Sequence, residues 1–211
     1  MLGSDILKMA PVVPVIVIND IDTAVPLANA LVKGGIPVLE VTLRTPQGLE
    51  AISLIKKEVE GAVVGAGTIL STADLDAAIN AGSEFIITPG LTPKLLDAGV
   101  ECGVPFMPGI ANISQMMTCA EKGLETLKFF PAEANGGAKT LKAFAGPCPH
   151  INFCPTGGVS INNMKDYLAL PNVLSVGGSW IANDKMIAAG DWDGITALAQ
   201  EATDLVASLT A

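Results

Sequence analysis

Two ionisable residues stand inside otherwise apolar, strand-forming runs of this chain: Lys128 within T-L-K-F-F and Glu40 within V-L-E-V-T-L. A lysine in mid-strand is costly to bury, because leaving water disfavours the ammonium. A neutral amine is a nucleophile towards ketones, which is the Schiff-base route of covalent catalysis. A structural ion pair, with the lysine stem covering apolar surface, explains the same residue without chemistry. The stretch around Lys128 by itself leaves both readings open. Glu40 shifts the balance towards catalysis. Carbinolamine formation, its dehydration and carbon–carbon cleavage all need proton transfers, and one placed carboxylate can serve each in turn. A buried pair kept for stability alone would gain little, since desolvation offsets most of the attraction. Arg44 follows at the end of the Glu40 run.

A second constellation lies near the end of the chain. Pro155-Thr156-Gly157-Gly158 closes one apolar run and precedes Ser160, read as a helix cap. Gly177-Gly178-Ser179 closes the next and precedes a short helix expected from Trp180. Glycine lets backbone N–H groups approach an anion, and a helix N-terminus adds a favourable dipole. Two such loops at successive strand ends read as a phosphate site. Elsewhere the signals are weaker. Gly65-Ala66-Gly67-Thr68 could offer a hydroxyl and backbone to a carboxylate or be a plain loop. Thr88-Pro89-Gly90 and Pro108-Gly109 read as turns that shape a pocket wall. Strand alternation puts Phe130, not Phe129, on the face of Lys128. His150, in a Pro-Cys-Pro-His loop, reads as a surface residue.

The elements that must position these residues repeat regularly. Eight apolar or β-branched runs begin near Val12, Val38, Ala62, Phe85, Pro105, Thr126, Ile151 and Val173. Between them lie helix-like segments: Asp22 to Lys33, Thr45 to about Val59 with Pro46 in its first turn, one capped by Ser71 or Thr72, and one opened by Thr92-Pro93. Ser114 to Lys122, Gly137 to Ala145, Ser160 to Leu168 and Asp191 to Ser208 complete them. Strand alternating with helix eight times predicts parallel strands closing into a single (β/α)8 TIM barrel. An open doubly wound sheet would carry a glycine-rich fingerprint after its first strand, where this chain has Asn19-Asp20. Residues 1–211 are expected to form one domain, with a short helix before the first strand. Pro14 falls inside that strand, where a bulge or strand end is expected.

Composition bounds the partners. Twelve basic against twenty-one acidic residues give a formal charge of −9, which argues against nucleic acid or an anionic membrane surface. An anionic substrate remains compatible with a locally positive pocket. Half of the residues are hydrophobic and the mean hydropathy is +0.50, yet the longest apolar run, Val12 to Ile18, is far too short to span a bilayer. No targeting pattern opens the sequence, so a cytoplasmic protein is expected. Four cysteines without C-x-x-C spacing and a single histidine argue against a zinc site. No metal and no cofactor are called for.

Taken together, these residues resemble the 2-keto-3-deoxy-6-phosphogluconate (KDPG) aldolases, also described as 4-hydroxy-2-oxoglutarate aldolases. The matching segments are P-V-V-P-V-I-V-I (11–18), V-L-E-V-T-L-R-T (38–45), V-G-A-G-T (64–68), T-P-G-L (88–91), L-K-F-F-P-A-E-A-N-G-G (127–137), F-C-P-T-G-G (153–158) and V-G-G-S-W (176–180). The resemblance implies a metal-independent class I aldolase, typically a homotrimer. Lys128 would be its Schiff-base lysine and Glu40 its acid/base residue. Arg44, Thr68 and Pro89 would line the pyruvate half of the substrate with Phe130 beside it, and Thr156, Gly157, Gly158, Gly178 and Ser179 would hold the phosphate half. The implied partners are a phosphorylated keto acid and pyruvate. The galactonate epimer, a barrel isomerase using Glu40 as base, and a non-catalytic phosphosugar-binding barrel are the competing readings; only the aldolase needs Lys128 as a nucleophile.

Overall fold

The computed structural model describes residues 1–210, with side chains to residue 207. Chain order begins with α1 (Gly3–Leu7), β1 (Val12–Ile16), a 3-10 turn at Ile21–Thr23, α2 (Ala24–Lys33), β2 (Val38–Thr42), α3 (Gly48–Glu58), β3 (Val63–Gly67) and α4 (Thr72–Asn80). It continues with β4 (Ile86–Ile87), α5 (Pro93–Glu101), β5 (Phe106–Met107), β6 (Gly109–Ile110), α6 (Ile113–Glu121) and β7 (Thr126–Phe129). After a 3-10 turn at Glu133–Asn135 come α7 (Gly137–Ala145), β8 (Asn152–Pro155), α8 (Met164–Leu168), β9 (Val176–Gly178), α9 (Asp184–Ala189) and α10 (Trp192–Thr210).

Every strand pair is parallel. A six-stranded sheet in the order β5-β4-β3-β2-β1-β9 forms a half-barrel, and a second sheet runs β6-β7-β8. Isolated bridges, Phe153 to Val173 and Thr156 to Gly177, link the edge of the second sheet to the first. The fifth expected strand is therefore two segments, interrupted at Pro108, which has no N–H to give to a ladder. Pro14 behaves differently from expectation, since β1 neither ends nor begins there. Its register with β9 runs from Val12 to Pro14, and that with β2 covers Val15 and Ile16, so Pro14 sits where pairing passes from one neighbour to the other.

The core divides in two. The larger cluster lies between strands and helices and includes Ile16, Leu39, Val64 and Phe129. The smaller lines the inner face of the strands, where Val13, Val38, Ile87, Met107 and Cys154 meet Ile6 and Leu7 of α1. Helix α1 thus closes over the inner cluster through Ile6 and Leu7, both fully buried. Ser71 and Thr92 cap α4 and α5 as expected, accepting from Asp74 and Leu95 N–H at 3.1 and 3.2 Å. Thr45 does not cap α3, which starts at Gly48; its hydroxyl donates to the Ile18 carbonyl. Among the described residues no helix is long and apolar enough to cross a membrane.

Candidate active site

Glu40 is the middle residue of β2, with Val38 on the same face pointing into the inner cluster. Lys128 lies on β7, its backbone in register with Gly109 of β6 and Cys154 of β8. The two side chains come from different sheets and meet: Lys128 Nζ donates to Glu40 Oε1 at 3.0 Å and Oε2 at 3.3 Å. Glu40 is 1% exposed and Lys128 5%. Such burial is tolerated only because each charge has its partner. A proton can pass directly between amine and carboxylate across that contact.

The surroundings keep the pair isolated. Phe130 sits on the Lys128 side as alternation predicts, its ring centroid 5.6 Å from Nζ. Phe129 faces the outer core, edge-on to Phe144 with centroids 6.1 Å apart. Beside Lys128, burial pushes the Cys154 thiol up to about 12, with Glu40 adding to the effect and Lys128 and Thr156 opposing it. At neutral pH Cys154 is therefore an uncharged wall and no rival nucleophile. Gly67 supplies space: a Cβ there would fall 2.6 Å from Glu40 Cγ and closer still to Oε1.

At the C-terminal ends, Arg44 Nε donates to Thr68 Oγ1 at 3.2 Å. Thr68 is the one non-glycine residue among the described residues with positive φ, at 60°. For a β-branched residue this is a strained conformation, and its hydroxyl is held beside the exposed Arg44 guanidinium. Pro89 ends the neighbouring turn, where the Thr88 hydroxyl bonds the Gly90 carbonyl and accepts the Gly109 N–H at 3.2 Å. Gly109 fits against the Pro89 backbone, leaving no room for a Cβ.

The glycine loops form, but without the helix starts expected of them. Ser160 is not a cap; α8 begins at Met164 with Asn163 before it. No helix begins at Trp180, and the next, α9, is capped by Asn183. What remains is backbone. Gly157 and Gly158 have φ of 100° and 80°, and Thr156 is paired with Gly177 across the two loops. Gly178 carries the Trp180 ring against its α-carbon, and Ser179 is exposed beside it. His150 is exposed, as expected. A cleft of about 340 Å³ lined by Leu2, Val100, Phe106 and Thr126 opens elsewhere and includes neither Lys128 nor Glu40. The role of Gly67 escaped the sequence, because it is defined by an atom that the residue lacks beside a side chain on the neighbouring strand.

Comparison with known proteins agrees with this arrangement. Residues 4–198 match the aldolase family described as KDPG and KHG aldolase. The KHG/KDPG aldolase of Escherichia coli (strain K12) is 53% identical over 202 residues, covering 96% of this chain and 95% of that one. The KDPG aldolase of Legionella pneumophila, solved with pyruvate captured at low pH as a covalent carbinolamine, superposes with a TM-score of 0.94 at 42% identity, covering 96% of this chain and 98% of that one. The 2-keto-3-deoxy-6-phosphogluconate aldolase of Zymomonas mobilis ZM4, solved with 3-phosphoglycerate, gives 0.88 at 48% identity and 95% of each chain.

Proposed function

The chain belongs to the KDPG and KHG aldolase family, and from that premise we propose that it is a class I aldolase that cleaves 2-keto-3-deoxy-6-phosphogluconate to pyruvate and glyceraldehyde 3-phosphate. It also takes 4-hydroxy-2-oxoglutarate. The observation that carries the reading is the buried contact between Lys128 and Glu40. Glu40 takes a proton from Lys128, and the freed Nζ adds to the ketone carbon C2. The carbinolamine loses water with a proton from Glu40, leaving a protonated imine as electron sink. Glu40 then receives the C4 hydroxyl proton through water, the C3–C4 bond breaks, and glyceraldehyde 3-phosphate leaves. Glu40 returns that proton to C3 of the enamine, and hydrolysis of the resulting imine frees pyruvate and Lys128.

Arg44 and Thr68 are assigned to the substrate carboxylate, Pro89 and Phe130 to the pyruvate half, and Thr156, Gly157, Gly158, Gly178 and Ser179 to the phosphate. The gluconate rather than galactonate series follows the substrate named for the Legionella and Zymomonas relatives. The two sheets are read as one closed (β/α)8 barrel forming a single domain. Supporting this, only Pro108 separates β5 from β6, and the bridges to Val173 and Gly177 adjoin the free edges. The proposed working form is a cytoplasmic homotrimer, consistent with apolar side chains such as Leu70 and Met117 that are 64% and 55% exposed on the single chain.

Incubation with pyruvate and borohydride tests the covalent step. One reduced pyruvate per chain is expected, on Lys128. Label on Lys139 or Lys142, or none, would remove the nucleophile from the reading.

A further inference from the structure

The Gly157–Gly158 loop is held by its carbonyls. The Glu133 N–H donates to the Gly157 oxygen at 3.0 Å. Asn163 Nδ2 donates to the Gly158 oxygen at 3.0 Å. The orientation of the Asn163 amide follows from its other end, where Oδ1 accepts the Ser160 N–H at 2.8 Å and so must be the oxygen. In a planar trans peptide the C=O and the following N–H point in opposite directions. Pinning the Gly157 carbonyl therefore aims the Gly158 N–H away from Glu133, and pinning the Gly158 carbonyl aims the Val159 N–H away from Asn163. Among the described residues neither of these N–H groups has a protein acceptor. Both glycines have positive φ, a conformation that leaves the backbone open to approach.

We propose that Asn163 is a positioning residue for the phosphate end of the substrate: by holding the Gly158 carbonyl it presents the Val159 N–H to the anion, and so sets the preference for phosphorylated over unphosphorylated substrate. The inference rests on the phosphate reading of the loop given above. Asn163 acts through the peptide and not by contact with the reacting atoms. Nearby, the Tyr167 hydroxyl donates to Glu133 Oε1, tying that carboxylate at the side of the loop. Burial, then Glu133, push the Tyr167 hydroxyl's pKa up, so it stays a donor.

The test is kcat/KM of Asn163→Ala and Asn163→Ser on 2-keto-3-deoxy-6-phosphogluconate and on 4-hydroxy-2-oxoglutarate, with pyruvate–borohydride labelling alongside. Loss of one aiming hydrogen bond should lower the first value roughly tenfold. The second value and the labelling should stay near wild type. Equal losses on both substrates, no loss on either, or failure of both variants to fold would make Asn163 structural and overturn the proposal. Gly158→Val separates the two layers. If it discriminates between the substrates while the Asn163 variants do not, only the Asn163 inference falls. If it lowers both substrates equally, the phosphate reading falls and this inference with it.

Discussion

Catalysis by Lys128 and Glu40 depends on atoms that are missing as much as on those present. The Glu40 carboxylate reaches Lys128 Nζ at 3.0 Å while resting over the α-carbon of Gly67, on the strand next to its own. A methyl at position 67 would occupy the space that the carboxylate needs. Gly67→Ala should therefore displace Glu40 and lower kcat towards the level of Glu40→Gln, where loss of the acid/base is worth roughly 10²–10⁴. Because both changes remove one function, adding Gly67→Ala to Glu40→Gln should cost little further activity. Steady-state kcat of the two single variants and the double variant decides this. Two losses that multiply would show that Gly67 acts independently of the carboxylate.

At the scale of elements, the C-terminal ends of β1 and β2 are joined by hydroxyls as well as by their ladder. Thr42 Oγ1 donates to the Ile16 carbonyl at 2.8 Å with Thr42 fully buried, and Thr45 does the same one step further on, at Ile18. Thr42→Val keeps the shape but strips the Ile16 oxygen of this donor, a loss of about 1–3 kcal/mol for a buried group. A lower urea midpoint at unchanged m-value is the expected reading; an unchanged midpoint would mean that the Ile16 carbonyl has no need of Thr42. These ties also explain what was legible beforehand. Ser71 and Thr92 were readable as caps because each bonds an N–H three residues on. Thr45 looked the same in sequence, but its partner lies 27 residues back. Ser160 was misread because Asn163 reaches back to accept its N–H. Glu40 and Lys128 stood out because charge inside apolar strands needs a reason, whereas nothing local marks Gly67, and Asn163 was hidden because its amide serves the backbone of the loop before it.

Across the whole molecule, burial reaches both cores and leaves a signature in pH. Cys119 on α6 belongs to the outer cluster and Cys154 on β8 to the inner one, at 0% and 3% exposure. Burial pushes each thiol up to about 12, against roughly 8.5 in an unfolded chain. Below that unfolded value both states hold the proton, and stability does not depend on pH through these groups. Above it the unfolded thiols ionise while the native ones do not. The unfolded state then binds fewer protons, so stability falls as pH rises, with a slope approaching about 1.4 kcal/mol per pH unit for each thiol. The effect is fully spent only near pH 12. Because the two cysteines sit on opposite sides of the strand layer, one cooperative unfolding transition should expose both. Urea unfolding between pH 8 and 9 is the measurement, a window chosen below the ordinary tyrosine value of about 10 so that Tyr167 contributes little. The wild type should lose stability steeply across it. Replacing both cysteines, as Cys119→Ala and Cys154→Ala, should flatten the dependence even though the absolute stability drops from lost packing. A slope that survives the double replacement would place the alkaline sensitivity in other groups. Loss of the slope in two separate transitions would mean that the outer and inner cores do not unfold together.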